Sequence, residues 1–84
     1  MKTQAEILEA VVQVLHETFG IERERITPEA DLHADLDIDS IDAIDLLVKL
    51  QKLTGRRLSP EAFKRVRKIK DVVAVVHQLV NEGA

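Results

Sequence analysis

The chain has 84 residues and a formal net charge of −3, a length that predicts one domain over residues 1–84 with one modest core. It contains no cysteine, which excludes a disulfide framework and a thiolate metal site. No apolar run approaches the roughly 18 residues of a membrane span, so we expect a cytoplasmic protein without stable membrane insertion.

The first helix is predicted from Gln4 to about Phe19. Thr3 and Glu6 have the spacing of a capping box, in which a hydroxyl and a carboxylate each accept a bond from a free backbone N–H. Gly20 is placed to take the left-handed conformation that ends many helices. The predicted core stripe follows the i, i+3, i+4, i+7 spacing and comprises Leu8, Val11, Val12, Leu15 and Phe19.

Residues 21–38 show no sustained periodicity and contain Pro28, which predicts a long loop. Loops of this length in a small domain are commonly functional or disordered. Apolar residues are spaced along this one like anchors. We therefore expect an ordered loop laid across the core by Ile21, Ile26, Leu32 and Leu36.

The second helix is predicted from about Ser40 to Thr54, with Asp39 as its N-cap and Gly55 at its end. Helical geometry, at ~100° per residue, divides its apolar residues between two roughly opposite faces. We assign to the core the face with Ala43, Leu46, Leu47, Leu50 and Leu53. The other face is then exposed, as is typical of a partner site, and comprises Ile41, Ile44 and Val48. The alternative is that these three pack beneath the loop.

Ser59 and Pro60 predict an N-cap followed by a first-turn proline, and hence a short third helix around Pro60 to Arg65 that buries Phe63. A fourth helix is predicted from about Ile69 to Val80, where apolar periodicity outweighs the low helix propensity of valine. The predicted fold is all-α: a four-helix bundle with a long first loop and a short third helix.

Ser40 stands between an acidic segment and the second helix. A nucleophilic serine needs a base in hydrogen-bond reach and a third orienting group, and only His33 is near in sequence, so we expect no catalysis. Asp35, Asp37 and Asp39 have the spacing of the first calcium-loop ligands, but the required glycine and glutamate are missing, and no dedicated metal site is expected. The alternatives that remain are an ordinary first-turn serine and an attachment point, where the positive helix end stabilises a phosphodiester.

The run Asp35-Leu36-Asp37-Ile38-Asp39-Ser40-Ile41-Asp42 resembles the 4'-phosphopantetheine attachment site of acyl carrier proteins. The resemblance extends from about Glu6 to Val80 and includes the long loop, the short third helix and the closing fourth helix. It implies a bundle of acyl-carrier type in which Ser40 bears 4'-phosphopantetheine, received from coenzyme A through a phosphopantetheinyl transferase. Acyl intermediates are then expected to travel as thioesters on the terminal thiol of the arm.

The resemblance also implies a non-catalytic carrier for fatty-acid or polyketide-like biosynthesis, and a monomer is the default expectation. Its expected partners are the transferase and the acyl-transfer, chain-elongation or modifying enzymes of its pathway. The positions that match the family's partner surface are Asp39, Ile41, Asp42, Ile44, Asp45 and Val48. An aminoacyl or peptidyl carrier and an unmodified interaction module are the alternatives.

Two features depart from the family. Asp37 stands where members often have glycine, and aspartate accepts unusual backbone angles less readily than glycine does. The chain also turns basic, with nine Lys and Arg and one acid over residues 49–70, after seven acids and no Lys or Arg over residues 29–45. Housekeeping fatty-acid carriers tend to be acidic in this later part. We therefore predict a carrier for a dedicated pathway, the alternative being a housekeeping carrier with a solvated basic face.

The basic segment also raises the possibility of nucleic-acid binding, which clustered Lys and Arg support by neutralising phosphates. Phe63 is the only aromatic residue in that segment and is predicted to be buried, so bases have no stacking platform. The acidic half of the chain repels a phosphate backbone. We therefore expect no nucleic-acid partner.

Overall fold

Four α-helices make up the architecture of the chain in the computed structural model, which describes residues 3–82. They are α1 (Gln4–Phe19), α2 (Ser40–Thr54), α3 (Pro60–Lys64) and α4 (Ile69–Glu82), with a single 3-10 turn at Arg23–Arg25. Across residues 3–82 the backbone forms no β-strand, so the predicted all-α four-helix arrangement is confirmed. Each of these helices is too short or too polar to cross a membrane.

The ends of α1 and α2 follow the predicted capping chemistry, whereas the side chain of Ser59, the predicted N-cap of α3, makes no capping hydrogen bond. At the start of α1, the backbone N–H of Glu6 donates to the Thr3 hydroxyl at 3.2 Å, and the Glu6 carboxylate accepts from the Thr3 backbone. Gly20 and Gly55 end α1 and α2 with φ angles of 69° and 68°. These positive angles are the conformation that glycine adopts without a steric penalty.

The core is one apolar cluster to which all four helices and the first loop contribute. Helix α1 packs on α4 and α2, and α3 closes the space between α2 and α4. Within residues 3–81, no polar or charged residue is buried. The largest fully buried side chains are Ile7, Val11, Leu15, Leu46, Leu50, Ile69, Val72 and Val76.

The predicted core needs correction at a few positions. Ile7, missing from the predicted stripe of α1, is fully buried, whereas Leu8 and Phe19 are only half-buried. Both Ile7 and Leu8 fit helical spacing to the residues that follow, and only the packing of α1 against α4 and α2 selects between them. Leu53, assigned to the core face of α2, is 44% exposed, since it lies in the last turn beside Val14 at the rim of the α1–α2 groove.

The long first loop is ordered, as predicted. All four expected anchors are buried, and so are Ala30 and Ile38. Three backbone hydrogen bonds tie the loop to the start of α4: Leu32 N to Arg67 O at 2.8 Å, Ile69 N to Ala30 O at 3.0 Å, and Lys70 N to Pro28 O at 3.0 Å. The loop is therefore held at its centre as well as at its ends, which places the residues before α2 firmly on the bundle.

Candidate functional site

Ser40 is the first residue of α2, and its backbone is positioned by a reciprocal cap. The carboxylate of Asp39 accepts from the backbone N–H of Asp42 at 2.8 Å, and the carboxylate of Asp42 accepts from the backbone N–H of Asp39 at 3.4 Å. This cap satisfies two N–H groups that a helix start leaves unpaired. Ser40 itself is exposed, and its hydroxyl makes no hydrogen bond to any residue in the range 3–82. It is free to react with an external group.

The loop ahead of Ser40 is folded around Asp31. One oxygen of its carboxylate accepts from the backbone N–H groups of His33 and Ala34, at 2.9 and 2.8 Å. The bond from Ala34 is the largest cause that holds the pKa of Asp31 below its ordinary value of 3.8; partial desolvation opposes it, and the bond from His33 acts with it. After this turn, the backbone carbonyl of Leu32 accepts a hydrogen bond from the N–H of Ile38 at 2.8 Å. This bond brings the chain back toward α2.

Asp37 lies two residues before the Asp39–Ser40 pair with a φ angle of 56°. It is the only residue other than glycine among residues 3–82 with positive φ. Its backbone N–H donates to His33 O at 3.2 Å, and the next residue, Ile38, turns into the core. The left-handed angle of Asp37 thus forms the bend between the acidic turn and the cap of α2. This is the position at which members of the family often have glycine, the residue that accepts such an angle most readily.

Two grooves border Ser40. The larger, about 680 Å³, runs between the acidic loop and the α3–α4 connection, and its lining includes His33, Asp39, Phe63, Val66 and Arg67. The smaller, about 370 Å³, lies between α2 and α3, and its mostly apolar lining includes Ala43, Ile44, Leu47, Phe63 and Lys64. A group attached to the Ser40 hydroxyl can therefore lie along either side of α3.

The predicted exposed stripe of α2 is exposed. Ile41 is 76% exposed, Ile44 62% and Val48 40%, so the alternative in which they pack beneath the loop is wrong. Asp39 and Asp45 are exposed beside them, while Asp42 is half-buried by its role in the cap. The structure places Ile41, Ile44, Asp45 and Val48 on one side of α2, and Asp39 and Asp42 in the cap at its start beside Ser40.

Among the side chains of residues 3–81, no group of three or more His, Asp or Glu is arranged to hold a metal ion. His33 shares the larger groove with Ser40 but makes no hydrogen bond to it within the described range. Nucleophilic catalysis requires that contact and a group that orients the base. The chemistry that the residues do fit is a phosphodiester, since an exposed, unbonded hydroxyl meets the positive end of a fifteen-residue helix beside an open groove.

Several groove residues were not identified from the sequence. Phe63 was predicted only as a core residue, and Lys64, Val66 and Arg67 were assigned no place near Ser40. Arg67 reaches the groove because the α3–α4 connection crosses the first loop through its bond to Leu32. A single sequence contains no local signal for a crossing between residues as far apart in the chain as Leu32 and Arg67.

Comparison with known proteins shows which family the sequence resembles. Residues 9–76 match the family model described as the phosphopantetheine attachment site. The chain is 51% identical over 78 residues to acyl carrier protein 2 of Ralstonia nicotianae, an alignment that covers 93% of this chain and 96% of the relative. It is 35% identical over 81 residues to the meromycolate extension acyl carrier protein of Mycobacterium bovis, which covers 96% of this chain and 70% of the relative.

Solved structures agree with the sequence relatives. The crystal structure of an acyl carrier protein from Thermotoga maritima superposes with a TM-score of 0.85 at 26% identity, over 96% of this chain and 94% of that one. The acyl carrier protein of Enterococcus faecalis, at 23% identity and a TM-score of 0.75, covers 92% of this chain and 98% of its own and shows the shared fold. The helical bundle is thus of acyl-carrier type.

Proposed function

This chain belongs to the acyl carrier protein family, and we propose that Ser40 is the residue that bears its 4'-phosphopantetheine. The observation that carries the proposal is the exposed, unbonded hydroxyl of Ser40 at the capped start of α2, between two grooves. The bound group supplies a flexible arm with a terminal thiol. Acyl intermediates ride on that thiol as thioesters, and the protein moves them between enzymes without catalysing the reactions itself.

The partner surface is the acidic and apolar side of α2. Ile41, Ile44 and Val48 offer a stripe that a partner can desolvate, and an apolar centre with a charged rim is the usual arrangement of a docking site. Asp39 and Asp45 provide exposed negative charge that steers a basic partner toward Ser40. The transferase and the acyl-handling enzymes of the pathway are the partners that this surface serves.

The smaller groove gives an acyl chain a place to go. Its walls are mostly apolar, with Leu47 and Phe63 buried at its base and Ile44 exposed at its edge. A hydrocarbon chain placed there is removed from water, which is favourable by about 25 cal/mol per Å² of apolar surface buried. This arrangement supports sheltering of part of the cargo between visits to enzymes.

The basic continuation of α2 favours a dedicated pathway over a housekeeping role. Lys49 and Lys52 follow directly after the acidic and apolar surface, and both are exposed. A partner that relies on negative charge along the whole of α2 is repelled there. One relative, from Mycobacterium bovis, is named a meromycolate extension acyl carrier protein, a name that states a dedicated role for that protein.

The test of the attachment residue is intact-protein mass after incubation with coenzyme A and a broad-specificity phosphopantetheinyl transferase. The parent protein is expected to gain the mass of one phosphopantetheine, and Ser40→Ala none. Ser59→Ala is the matched control, because Ser59 is the only other serine and also stands exposed at a helix start. Loading that persists in Ser40→Ala and disappears in Ser59→Ala would show that Ser59, before α3, bears the arm and would contradict the proposal.

A further inference from the structure

Attachment of a phosphodiester at Ser40 adds a negative charge to a region that is already acidic. Asp39 and Asp42 flank the serine, and Asp35 and Asp37 lie in the turn just before it. Like charges at short range are unfavourable even at an exposed site, although salt screens the effect. A cation near Ser40 therefore has a clear use in the loaded protein.

The two grooves contain different cations. Arg67 and His33 line the larger groove together with Ser40, and Lys64 lines the smaller one. Arg67 is exposed, and its guanidinium forms neither a hydrogen bond nor an ion pair with any part of the chain between residues 3 and 82. By contrast, Lys68 and Lys70, which follow it closely, are paired with Glu29 at 3.4 and 3.2 Å. Arg67 is thus available to a ligand in the groove.

The backbone of Arg67 is held from both directions. Its carbonyl accepts from Leu32 N at 2.8 Å, and its N–H donates to the carboxylate of Asp71 at 3.2 Å. The first bond joins Arg67 to the loop that leads to Ser40, and the second joins it to the start of α4. The base of the side chain is therefore placed relative to Ser40, and only the guanidinium end remains to be ordered by a ligand.

We propose that the guanidinium of Arg67 binds the phosphodiester of the arm on Ser40 within the larger groove, which both residues line. This inference rests on the proposed attachment at Ser40. Arginine suits the contact because its planar fork can donate two parallel hydrogen bonds to phosphate oxygens. Asp31 and Asp39 also line that groove, and their negative charge competes for Arg67 in the apo protein. Neither carboxylate is hydrogen-bonded to the guanidinium of Arg67, so the phosphodiester offers it a new hydrogen-bond acceptor.

The experiment compares apo and holo protein by NMR, after mass spectrometry has shown complete loading. In the parent protein, the Nε–Hε resonance of Arg67 is expected to shift on loading, and the shift is expected to shrink at high salt. The side-chain resonance of Arg57, which lines neither groove, is expected to stay in place. An Arg67 resonance that does not move in fully loaded protein overturns the proposal.

Phosphorus NMR of loaded variants provides the second readout. Arg67→Gln is expected to move the phosphodiester resonance of the arm, whereas Lys64→Gln and Arg57→Gln leave it unchanged. A resonance that responds to Lys64→Gln and not to Arg67→Gln assigns the phosphodiester contact to Lys64 and overturns the proposal. Arg67→Lys, which keeps the charge, is expected to restore part of the parent signal and covers the case in which the glutamine variant folds poorly.

Failure of the attachment itself looks different. A parent protein that gains no mass removes the proposed function, whereas a loaded parent with an indifferent Arg67 removes only the contact proposed for the guanidinium. The NMR comparison of the parent needs no substitution and depends on no catalytic activity.

Discussion

Asp37 shows how one backbone angle prepares the site. Its φ of 56° lies in the left-handed region, which L-residues other than glycine enter at a cost and which aspartate tolerates better than most. The bend at Asp37 directs Ile38 into the core and leaves Asp39 in position to cap α2. The geometry at Ser40 therefore depends on a residue that does not touch it.

Substitutions at Asp37 test this conformation. Asp37→Gly is expected to keep or raise the free energy of unfolding. Glycine adopts the left-handed angle without strain, and this gain offsets the greater flexibility that glycine gives the unfolded chain. Asp37→Val is expected to lower it by about 1–2 kcal/mol, since a β-branched residue fits that angle poorly. Urea denaturation measures both. Asp45→Val, an exposed helical site where the two residues have similar propensity, is the control and should change little. A valine variant at position 37 that matches the parent would contradict the role given to the bend.

At the scale of the element, α2 has one face for the core and one for partners. Leu46 and Leu50 are fully buried, whereas Ile44 is 62% exposed two residues before Leu46. Because a helix advances about 100° per residue, positions two apart point to opposite sides. Removal of apolar area from the exposed face should therefore change stability little, whereas removal from the buried face should destabilise the fold strongly.

Alanine substitutions on the two faces separate these roles. Leu46→Ala is expected to lower the free energy of unfolding by about 2–5 kcal/mol, since it leaves a cavity in the core. Ile44→Ala is expected to change it by no more than about 0.5 kcal/mol, as at other surface sites. Denaturant unfolding of both variants provides the measurement. Equal losses would mean that Ile44 is buried in solution and that the partner face is wrongly assigned.

The start of α4 depends on a carboxylate. Asp71 accepts from the backbone N–H groups of Lys68 and Arg67, at 3.0 and 3.2 Å. These bonds, with that of Lys68 the larger cause, hold the pKa of Asp71 below its ordinary value of 3.8, and slight desolvation opposes them. They satisfy N–H groups at a helix start and also fix the α3–α4 connection that crosses the first loop.

The depressed pKa of Asp71 predicts how stability varies with pH. A group whose pKa is lower in the folded state contributes stability above its unfolded value of 3.8, and this is lost as the pH falls through the folded value. Asp71→Asn is therefore expected to lower the melting temperature at pH 7, and the difference from the parent should narrow below about pH 4. Thermal unfolding followed across this range measures the effect, with Asp45→Asn as an exposed control. A difference that stays constant down to acid pH would show that the charge of Asp71 is irrelevant.

On the scale of the whole molecule, charge is divided along the surface. Part of the basic segment is neutralised locally, since Lys68 and Lys70 pair with Glu29 and together lower its pKa, chiefly through Lys70. Lys49 and Lys52 are exposed on α2 without an ion pair to the chain over residues 3–82. Exposed ion pairs contribute little to stability, so this division matters more for encounters with partners than for folding.

Reversal of charge on α2 tests its effect on partner choice. Lys49→Glu combined with Lys52→Glu extends the acidic surface that begins at Asp39. For a transferase with a basic docking surface, kcat/KM for loading is expected to rise severalfold at low salt, through faster association. Lys68→Glu, outside α2, serves as the control and should have a smaller effect. A rise that persists at high salt, where exposed charges are screened, would point to a cause other than electrostatic steering.

Local patterns carried much of the prediction. Caps at Thr3 and Asp39, glycines at Gly20 and Gly55, and the proline start of α3 all involve neighbours within four residues. The acidic run around Ser40 is also a pattern of neighbouring residues, and it was sufficient to suggest the family. Core membership was less certain: Leu53 was wrongly placed inside and Ile7 was missed, because spacing defines a stripe but not its centre.

By itself, the sequence determined the helices, their ends, the exposed stripe of α2 and the acidic start at Ser40, because each follows from contacts or periodicity within a few residues. Only the tertiary structure decided that Arg67 and His33 line the groove beside Ser40 and that Lys64 lines the other. Those positions arise where the first loop crosses the α3–α4 connection through the bond from Leu32 to Arg67. Such a long-range crossing depends on how the whole core packs, which no local pattern contains.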